Sequence, residues 1–206
     1  MYARSVTVRG DAGKVDELVA HIRDEAMPAM QAMSGCVGVS MLCDRDAGRC
    51  IVTSAWADET ALHASEEAMR ESRERGAQIM GGEYEMTNWE IALLHRMHEG
   101  HEGARARVLW GESDPARAED NLAVMRMAML PRMEELPGFC SVSLLVDRAT
   151  GRSAMTTCYD TQADMDRARD AAMAMREEFT REMGVTLTDV ADFDLVLHHL
   201  RVPETV

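Results

Sequence analysis

Apolar and polar residues alternate over Tyr2–Val8, and this period of two indicates a β-strand. Apolar residues then recur at every third or fourth position, which predicts an amphipathic helix over about residues 12–33, with Asp11 as its N-cap. Pro28 is expected to bend or shorten the last turns of this helix, because proline cannot donate a backbone hydrogen bond.

The next segments predict a hairpin, a helix and a strand. Residues 36–43 and 50–56 are apolar and flank the turn sequence DRDAGR, which is typical of a β-hairpin. Asp58 is the expected N-cap of a second helix that ends near residues 81–82, and residues 88–96 are the expected fourth strand. The order β-α-β-β-α-β is that of a ferredoxin-like unit.

The chain contains this pattern twice. Residues Met27–Trp56 (MPAMQAMSGCVGVSMLCDRDAGRCIVTSAW) align without a gap with Leu130–Tyr159 (LPRMEELPGFCSVSLLVDRATGRSAMTTCY). The identical positions include Pro28/Pro131, Met30/Met133, Gly35/Gly138, Leu42/Leu145, Asp44/Asp147, Gly48/Gly151 and Thr53/Thr156. A repeat of this length indicates a duplicated folding unit.

The second repeat is expected to follow the element order of the first. Its predicted strands cover residues 105–111, 139–146, 152–159 and 191–200, and its predicted helices begin at 114 and cover 162–183. We therefore expect two ferredoxin-like domains, at residues 1–97 and 104–206, joined by a polar linker at residues 98–103.

Both faces of the predicted strands carry apolar residues, as in Val37–Cys43. A sheet that is apolar on both faces must be covered on both faces. Helices cover only one face of a ferredoxin-like unit, so we expect the two sheets to cover each other. The sequence thus predicts an α+β fold of two tandem ferredoxin-like units whose antiparallel sheets pack as a pseudo-dimeric α/β barrel. A further homodimer stays possible.

Charge and composition narrow the choice of partners. The 206 residues carry a formal net charge of -14, and an acidic surface repels phosphate backbones, so no nucleic-acid partner is expected. Neither a signal peptide nor an apolar run long enough to span a membrane is recognised. The five cysteines are an odd number without other marks of secretion, so reduced thiols and a cytoplasmic location are expected.

Three features in the first repeat resemble a known family. They are Pro28 and Gly35 before a strand, the DRDAGR hairpin, and the segment Ser54–His63 (SAWADETALH), where a strand ends in Trp and an acidic cap opens a helix. This pattern resembles the dimeric α/β-barrel superfamily, and in particular the antibiotic-biosynthesis-monooxygenase-like (ABM) domains. The resemblance extends over both repeats.

The resemblance implies a candidate site in the first repeat. Trp56 would wall an apolar pocket, and His63 would act as the general base toward a phenolic substrate, since imidazole exchanges protons near neutral pH. The alternative is that Trp56 belongs to the core and His63 to a helix surface. Tyr159 and Asp166 stand at these positions in the second repeat, and Tyr159 is a second candidate for substrate binding.

Two functions from different classes remain open. The first is a cofactor-independent, monooxygenase-like oxidoreductase that acts on a small aromatic phenol or quinol without a metal. The second is a non-enzymatic protein that binds a small apolar or aromatic ligand, for example in a stress response. Haem binding or degradation is disfavoured, because the first strand lacks the family's Asn and no further His follows His63 on its helix.

Two other groups of residues could carry chemistry. His95, His98 and His101, with Glu99 beside them, could bind a transition metal, but a solvated strand end and linker is the favoured interpretation, and no metal site is expected. Cys43 and Cys50 flank the hairpin turn and are expected to be cross-strand neighbours. They could form a redox disulfide or remain buried thiols.

Overall fold

The computed structural model describes residues 1–98, 100–101, 103–200 (only the backbone of 200), 203 and 205. The strands are β1 (Tyr2–Arg9), β2 (Cys36–Asp44), β3 (Arg49–Trp56), β4 (Glu83–Arg96), β5 (Arg105–Glu112), β6 (Phe139–Asp147), β7 (Arg152–Tyr159) and β8 (Thr186–Leu200). The helices are α1 (Val15–His21), α2 (Met27–Gln31), α3 (Glu59–Ala68), α4 (Arg70–Met80), α5 (Ala118–Val124), α6 (Leu130–Glu134) and α7 (Gln162–Met183).

The strands form one antiparallel sheet with the order β1-β3-β2-β8-β5-β7-β6-β4, which closes into a barrel. The element order of the two repeats is the same, so the predicted α+β fold of two tandem ferredoxin-like units is confirmed. Within the described residues, no helix is both long enough and apolar enough to cross a membrane.

The chain forms two compact units. Unit 1 contains Met1–Trp89 and Phe193–Val202, and unit 2 contains Glu90–Asp192 and Pro203–Val206. Strands β4 and β8 therefore each contribute residues to both units. In unit 1, β2 pairs with the later part of β8, where Met41 lies opposite Leu197. In unit 2, β6 pairs with the later part of β4, where Ser143 lies opposite Leu94.

The first helical segment of each repeat contains a π-helical stretch. In unit 1, Ile22–Ala26 separates α1 from α2, and in unit 2, Met125–Met129 separates α5 from α6. Each stretch ends just before a proline, Pro28 or Pro131. A proline cannot bond to the carbonyl one turn earlier, so the wider turn accommodates it without ending the helix. The predicted effect of Pro28 thus takes the form of a widened turn.

A glycine in the left-handed region precedes β2 and β6. Gly35 has a φ of 80° and Gly138 a φ of 64°, and a Cβ atom on Gly35 would lie 2.5 Å from the Cβ of Ala61. The carbonyl of Gly35 accepts a hydrogen bond of 2.8 Å from the N–H of Ala57. Only glycine meets both requirements, which explains its presence in both repeats.

Two elements differ from the expected boundaries. Strand β4 begins at Glu83, before the expected start at residue 88, and β8 begins at Thr186, before the expected start at 191. The early part of β4 (EYEMT) alternates polar and apolar residues. Because its polar positions interrupt the apolar run, the sequence did not indicate that the strand begins there. The second helix of the first repeat is interrupted at Met69, whereas α7 in the second repeat is continuous.

Candidate functional site

Unit 1 contains a cavity between its helices and strands β1 and β3. The cavity has about 510 Å³ of empty space, part of it open to solvent. Apolar residues form most of its wall, among them Val6, Ile22, Met30 and Val52. The polar and aromatic residues of the wall are Arg4, Ser54, Trp56, Ser65, Ser72 and Arg73. We call this space the unit 1 cavity.

Arg4 is a buried cation in this wall, with 2% of its surface exposed. Its Nε donates to Oδ1 of Asn88 at 2.9 Å, and Nη1 donates to Oγ of Ser65 at 2.8 Å. Nη2 lies 3.2 Å from Oε2 of Glu66, whose side chain is half exposed. Burial lowers the pKa of Arg4 from its ordinary value, and Glu66 partly offsets this effect. The guanidinium still carries its charge, because arginine is not deprotonated in proteins.

Trp56 and His63 are not brought together. Trp56 is fully buried in the wall of the unit 1 cavity, and its Nε1 donates to Oγ of Ser54 at 3.0 Å. His63 is 59% exposed on α3 and is not part of the wall. Its imidazole lies 3.7 Å from Glu59 and 3.9 Å from Glu66. The placement of His63 thus gives no support to its expected role as the base.

A second imidazole lies behind the cavity wall and was missed from the sequence. His21 on α1 is 7% exposed, and its Nε2 lies 3.2 Å from Oγ of Ser72, a residue of the wall. The same nitrogen lies 3.2 Å from the carbonyl oxygen of Ser72, and Nδ1 lies 3.4 Å from Oε2 of Glu25. A histidine next to the core positions Leu18 and Ile22 was the available signal.

Unit 2 has a cavity at the equivalent place. It has about 920 Å³ of empty space, part of it open to solvent, and we call it the unit 2 cavity. A smaller recess beside it shares Leu109, Met129, Met155 and Arg176 with the cavity wall. When the alignment of the repeats is extended without gaps over residues 4–76 and 107–179, every wall residue of the unit 1 cavity except Ser65 has its counterpart in this cavity or recess.

The counterparts of the unit 1 residues differ in chemistry. Arg4 aligns with Arg107, but Arg107 makes a bidentate pair of 2.7 and 2.8 Å with the carboxylate of Asp192. Hydrogen bonding to Asp192 raises the pKa of Arg107. Trp56 aligns with Tyr159, which lines the recess and is 2% exposed. Burial raises the pKa of Tyr159 to about 12, so its phenol stays protonated at neutral pH.

The histidines near the linker contact two different acidic residues. His95 Nε2 lies 2.8 Å from Glu134, while His98 and His101 each lie 3.5 Å from Oδ1 of Asp160. Glu99, the acidic residue beside these histidines in the sequence, lies outside the described residues. In the described part of the chain, no group of three His, Cys, Asp or Glu side chains is arranged so that it could hold a metal ion.

Cys43 and Cys50 lie directly opposite each other in the β2–β3 register, as expected. Their Sγ atoms are 3.0 Å apart, and both thiols are free and fully buried. The hydrogen bond from Cys50, together with burial, raises the pKa of Cys43. A raised thiol pKa lowers the fraction of reactive thiolate.

The two ferredoxin-like repeats and their closed antiparallel barrel define the class of protein as a tandem α/β barrel. Comparisons with known proteins agree with this class. The model of the family described as "Antibiotic biosynthesis monooxygenase" matches residues 1–74. The structure of a Fusobacterium nucleatum protein (FN1347) superposes with a TM-score of 0.72 at 13% identity, covering 97% of this chain and 94% of that one. An "anthrone oxidase-like protein" superposes with a TM-score of 0.67 at 13% identity, covering 97% and 93%. At these identities the likeness shows the fold alone.

Two relatives match the full chain. The uncharacterized proteins Rv2557 and Rv2558 of Mycobacterium tuberculosis (strain ATCC 25618 / H37Rv) are 43% and 45% identical to it. The matches cover 100% of this chain and 92% and 88% of the two relatives. The chain therefore belongs to the family of Rv2557 and Rv2558. Within it, residues 1–74 match the antibiotic biosynthesis monooxygenase model, and the fold as a whole is that of the ABM-like structures.

Proposed function

We propose that this protein is a cofactor-independent, monooxygenase-like enzyme that acts on a small electron-rich phenol or quinol in the unit 1 cavity, in the cytoplasm. The observation that carries the proposal is the buried guanidinium of Arg4 in an apolar wall beside Trp56. A buried cation without a fully buried acid as its partner favours an anionic ligand.

The reaction requires the anionic form of the substrate. A phenol reacts slowly with dioxygen, whereas its phenolate is far richer in electrons. Arg4 and Arg73 both line the cavity, and their positive charges stabilise the phenolate. Trp56 provides a flat apolar wall for the ring.

The proton leaves through Ser72. Ser72 Oγ accepts the phenolic proton while its own proton passes to His21 Nε2, 3.2 Å away. Glu25, 3.4 Å from Nδ1, holds the imidazole in the tautomer that accepts at Nε2. In the described part of the unit 1 cavity wall there is no carboxylate or imidazole, so this pair is the route for the proton.

The overall reaction balances without an added reductant. A ring carbon of the phenolate that carries hydrogen forms a bond to dioxygen, and the resulting hydroperoxide loses water to leave a carbonyl. One phenol and one O₂ give one quinone and one H₂O. The substrate supplies all four electrons, so one oxygen atom ends in the quinone and the other in water.

The test is oxygen uptake with anthrone and 1,4-dihydroxynaphthalene as substrates. We expect Arg4→Met to lower the rate by about a hundredfold or more, the usual loss when a group that stabilises a developing anion is removed. Arg9→Met, an exposed residue on the same strand, is the matched control and should retain the wild-type rate. Equal rates for the wild type and Arg4→Met, or no uptake above the uncatalysed rate, would contradict the proposal.

A further inference from the structure

The unit 2 cavity contains one cation that has no acid as its partner. The charged residues in its wall are Asp147, Arg148, Arg152 and Arg176. Arg148 is paired with Glu90 at 2.6 Å and with Glu119 at 2.5 Å, and Arg152 lies opposite Asp147 in the β6–β7 register and interacts with its carboxylate electrostatically. Among the residues that the structure describes, no carboxylate lies within ion-pair distance of the Arg176 guanidinium.

The same wall contains a polar atom without a partner. Oδ1 of Asn121 is buried, and no described residue donates a hydrogen bond to it. Buried polar atoms in proteins are nearly always hydrogen-bonded, so this acceptor calls for a donor from another molecule. Asn121 aligns with Leu18, a fully buried core residue of unit 1, so the fold does not require a polar group here.

The rest of the wall is apolar and adaptable. Four methionines line the unit 2 cavity: Met125, Met129, Met155 and Met183. Three of these four positions also line the unit 1 cavity, where the aligned residues are Ile22, Ala26 and Val52. Methionine side chains are flexible and can adjust to the shape of an apolar ligand. The larger space and the thioether wall suit a bulkier ligand than the unit 1 cavity does.

From these observations we infer that the unit 2 cavity is a binding site for a small hydroxy acid with an apolar body. Its carboxylate contacts Arg176, and its hydroxyl donates to Asn121. The site holds its ligand without chemistry, because the counterparts of His21 and Ser72 are Val124 and Met175, which cannot transfer a proton. The inference is independent of the oxygenase proposal.

The test is titration calorimetry with 6-(hydroxymethyl)naphthalene-2-carboxylate, which has no phenol and cannot serve as an oxygenase substrate. The uncharged carboxamide of the same molecule is the chemical control. We expect Arg176→Met to weaken binding of the carboxylate by about tenfold to a hundredfold, as for a lost charge-assisted hydrogen bond. Binding of the carboxamide should be unchanged, which also shows that the variant keeps its cavity.

Two further variants locate the site. Arg181→Met removes an exposed arginine of the same helix that lies outside the cavity wall, and it should leave carboxylate binding unchanged. Asn121→Leu, which introduces the unit 1 residue, should weaken binding about fivefold for this ligand and leave naphthalene-2-carboxylate unaffected. The inference is overturned if the carboxylate does not bind, if the carboxamide binds equally well to the wild type, or if Arg181→Met weakens binding as much as Arg176→Met does.

Discussion

Unit 1 and unit 2 hold an arginine at the same position of their first strand, but they surround it differently. Arg4 in unit 1 contacts the neutral amide of Asn88, whereas Arg107 in unit 2 contacts the carboxylate of Asp192. Arg4 also has a single contact of 3.2 Å with the half-exposed carboxylate of Glu66, whereas Arg107 is held by two hydrogen bonds to one carboxylate. The charge of Arg4 is therefore offset less than that of Arg107, and the side chain on the last strand of each repeat accounts for this difference.

The helices add a second difference. In unit 1, Ser72 and His21 connect the cavity to Glu25, which is exposed to solvent. In unit 2, methionine and valine stand at the positions of this serine and histidine. Both differences favour chemistry in unit 1 and binding without chemistry in unit 2, although the fold of the two repeats is the same.

The largest expected effect concerns the choice between two imidazoles. We predict that His21→Gln lowers the rate of oxygen uptake by about a hundredfold or more, the usual loss for a general base. His63→Ala tests the assignment suggested by the sequence, and its exposed position predicts a much smaller effect. The rates are measured at a temperature at which both variants are fully folded. A large loss in His63→Ala together with a normal rate in His21→Gln would overturn the proton route through Ser72.

An intermediate effect is expected when the partner of Arg4 is exchanged. Asn88→Asp gives unit 1 the arginine–carboxylate pair of unit 2, so the fold should be kept while the positive charge of Arg4 is offset. We predict a rate of oxygen uptake about ten- to thirtyfold lower. The mirror variant Asp192→Asn is the control and should not change the rate. If Asn88→Asp is as active as the wild type, the charge of Arg4 has no role in the reaction.

The smallest expected effect concerns Tyr159, which stands in unit 2 where unit 1 has Trp56. It is seen in the free energy of unfolding at alkaline pH. Tyr159 stays protonated in the folded state until about pH 12, whereas an unfolded tyrosine ionises near pH 10. Between these values the unfolded state has lost the proton and the folded state has not, so the free energy of unfolding falls as the pH rises. We predict a fall of about 1 to 2 kcal/mol from this residue.

The measurement is urea unfolding between pH 9 and pH 12, with Tyr159→Phe as the reference. The difference between the wild type and this variant should decrease over this range, and Trp56→Phe should not reproduce the change. A constant difference would mean that Tyr159 ionises as easily in the folded state as in the unfolded state.

The sequence predicts the fold well, because the local periodicity of each element can be seen in its own residues and is repeated in the second half of the chain. The alternation in β1, the hairpin of β2 and β3, and Gly35 with Gly138 can all be read from neighbouring residues. The early part of β4 was missed because its polar positions gave no continuous apolar signal. The boundaries at 1–97 and 104–206 stay a prediction.

The candidate site was less accessible to sequence reasoning. Trp56 was selected from its position at a strand end, and its role in substrate binding stays a prediction. His21 and Ser72 are on different helices and far apart in sequence, so no local pattern predicts their contact. A charged residue in the first strand of both repeats, Arg4 and Arg107, was the signal that could have been used.

The division of β8 between the two units has a consequence for the synthesis of the protein. Domains generally fold as units during translation, with the N-terminal one first. Unit 1 cannot follow this rule completely, because residues 194–200 of β8 pair with β2. The ribosome must therefore release all of β8 before unit 1 acquires its last strand. Unit 1 begins first but waits for residues made after most of unit 2, and a chain that ends before β8 leaves β2 with an unpaired edge.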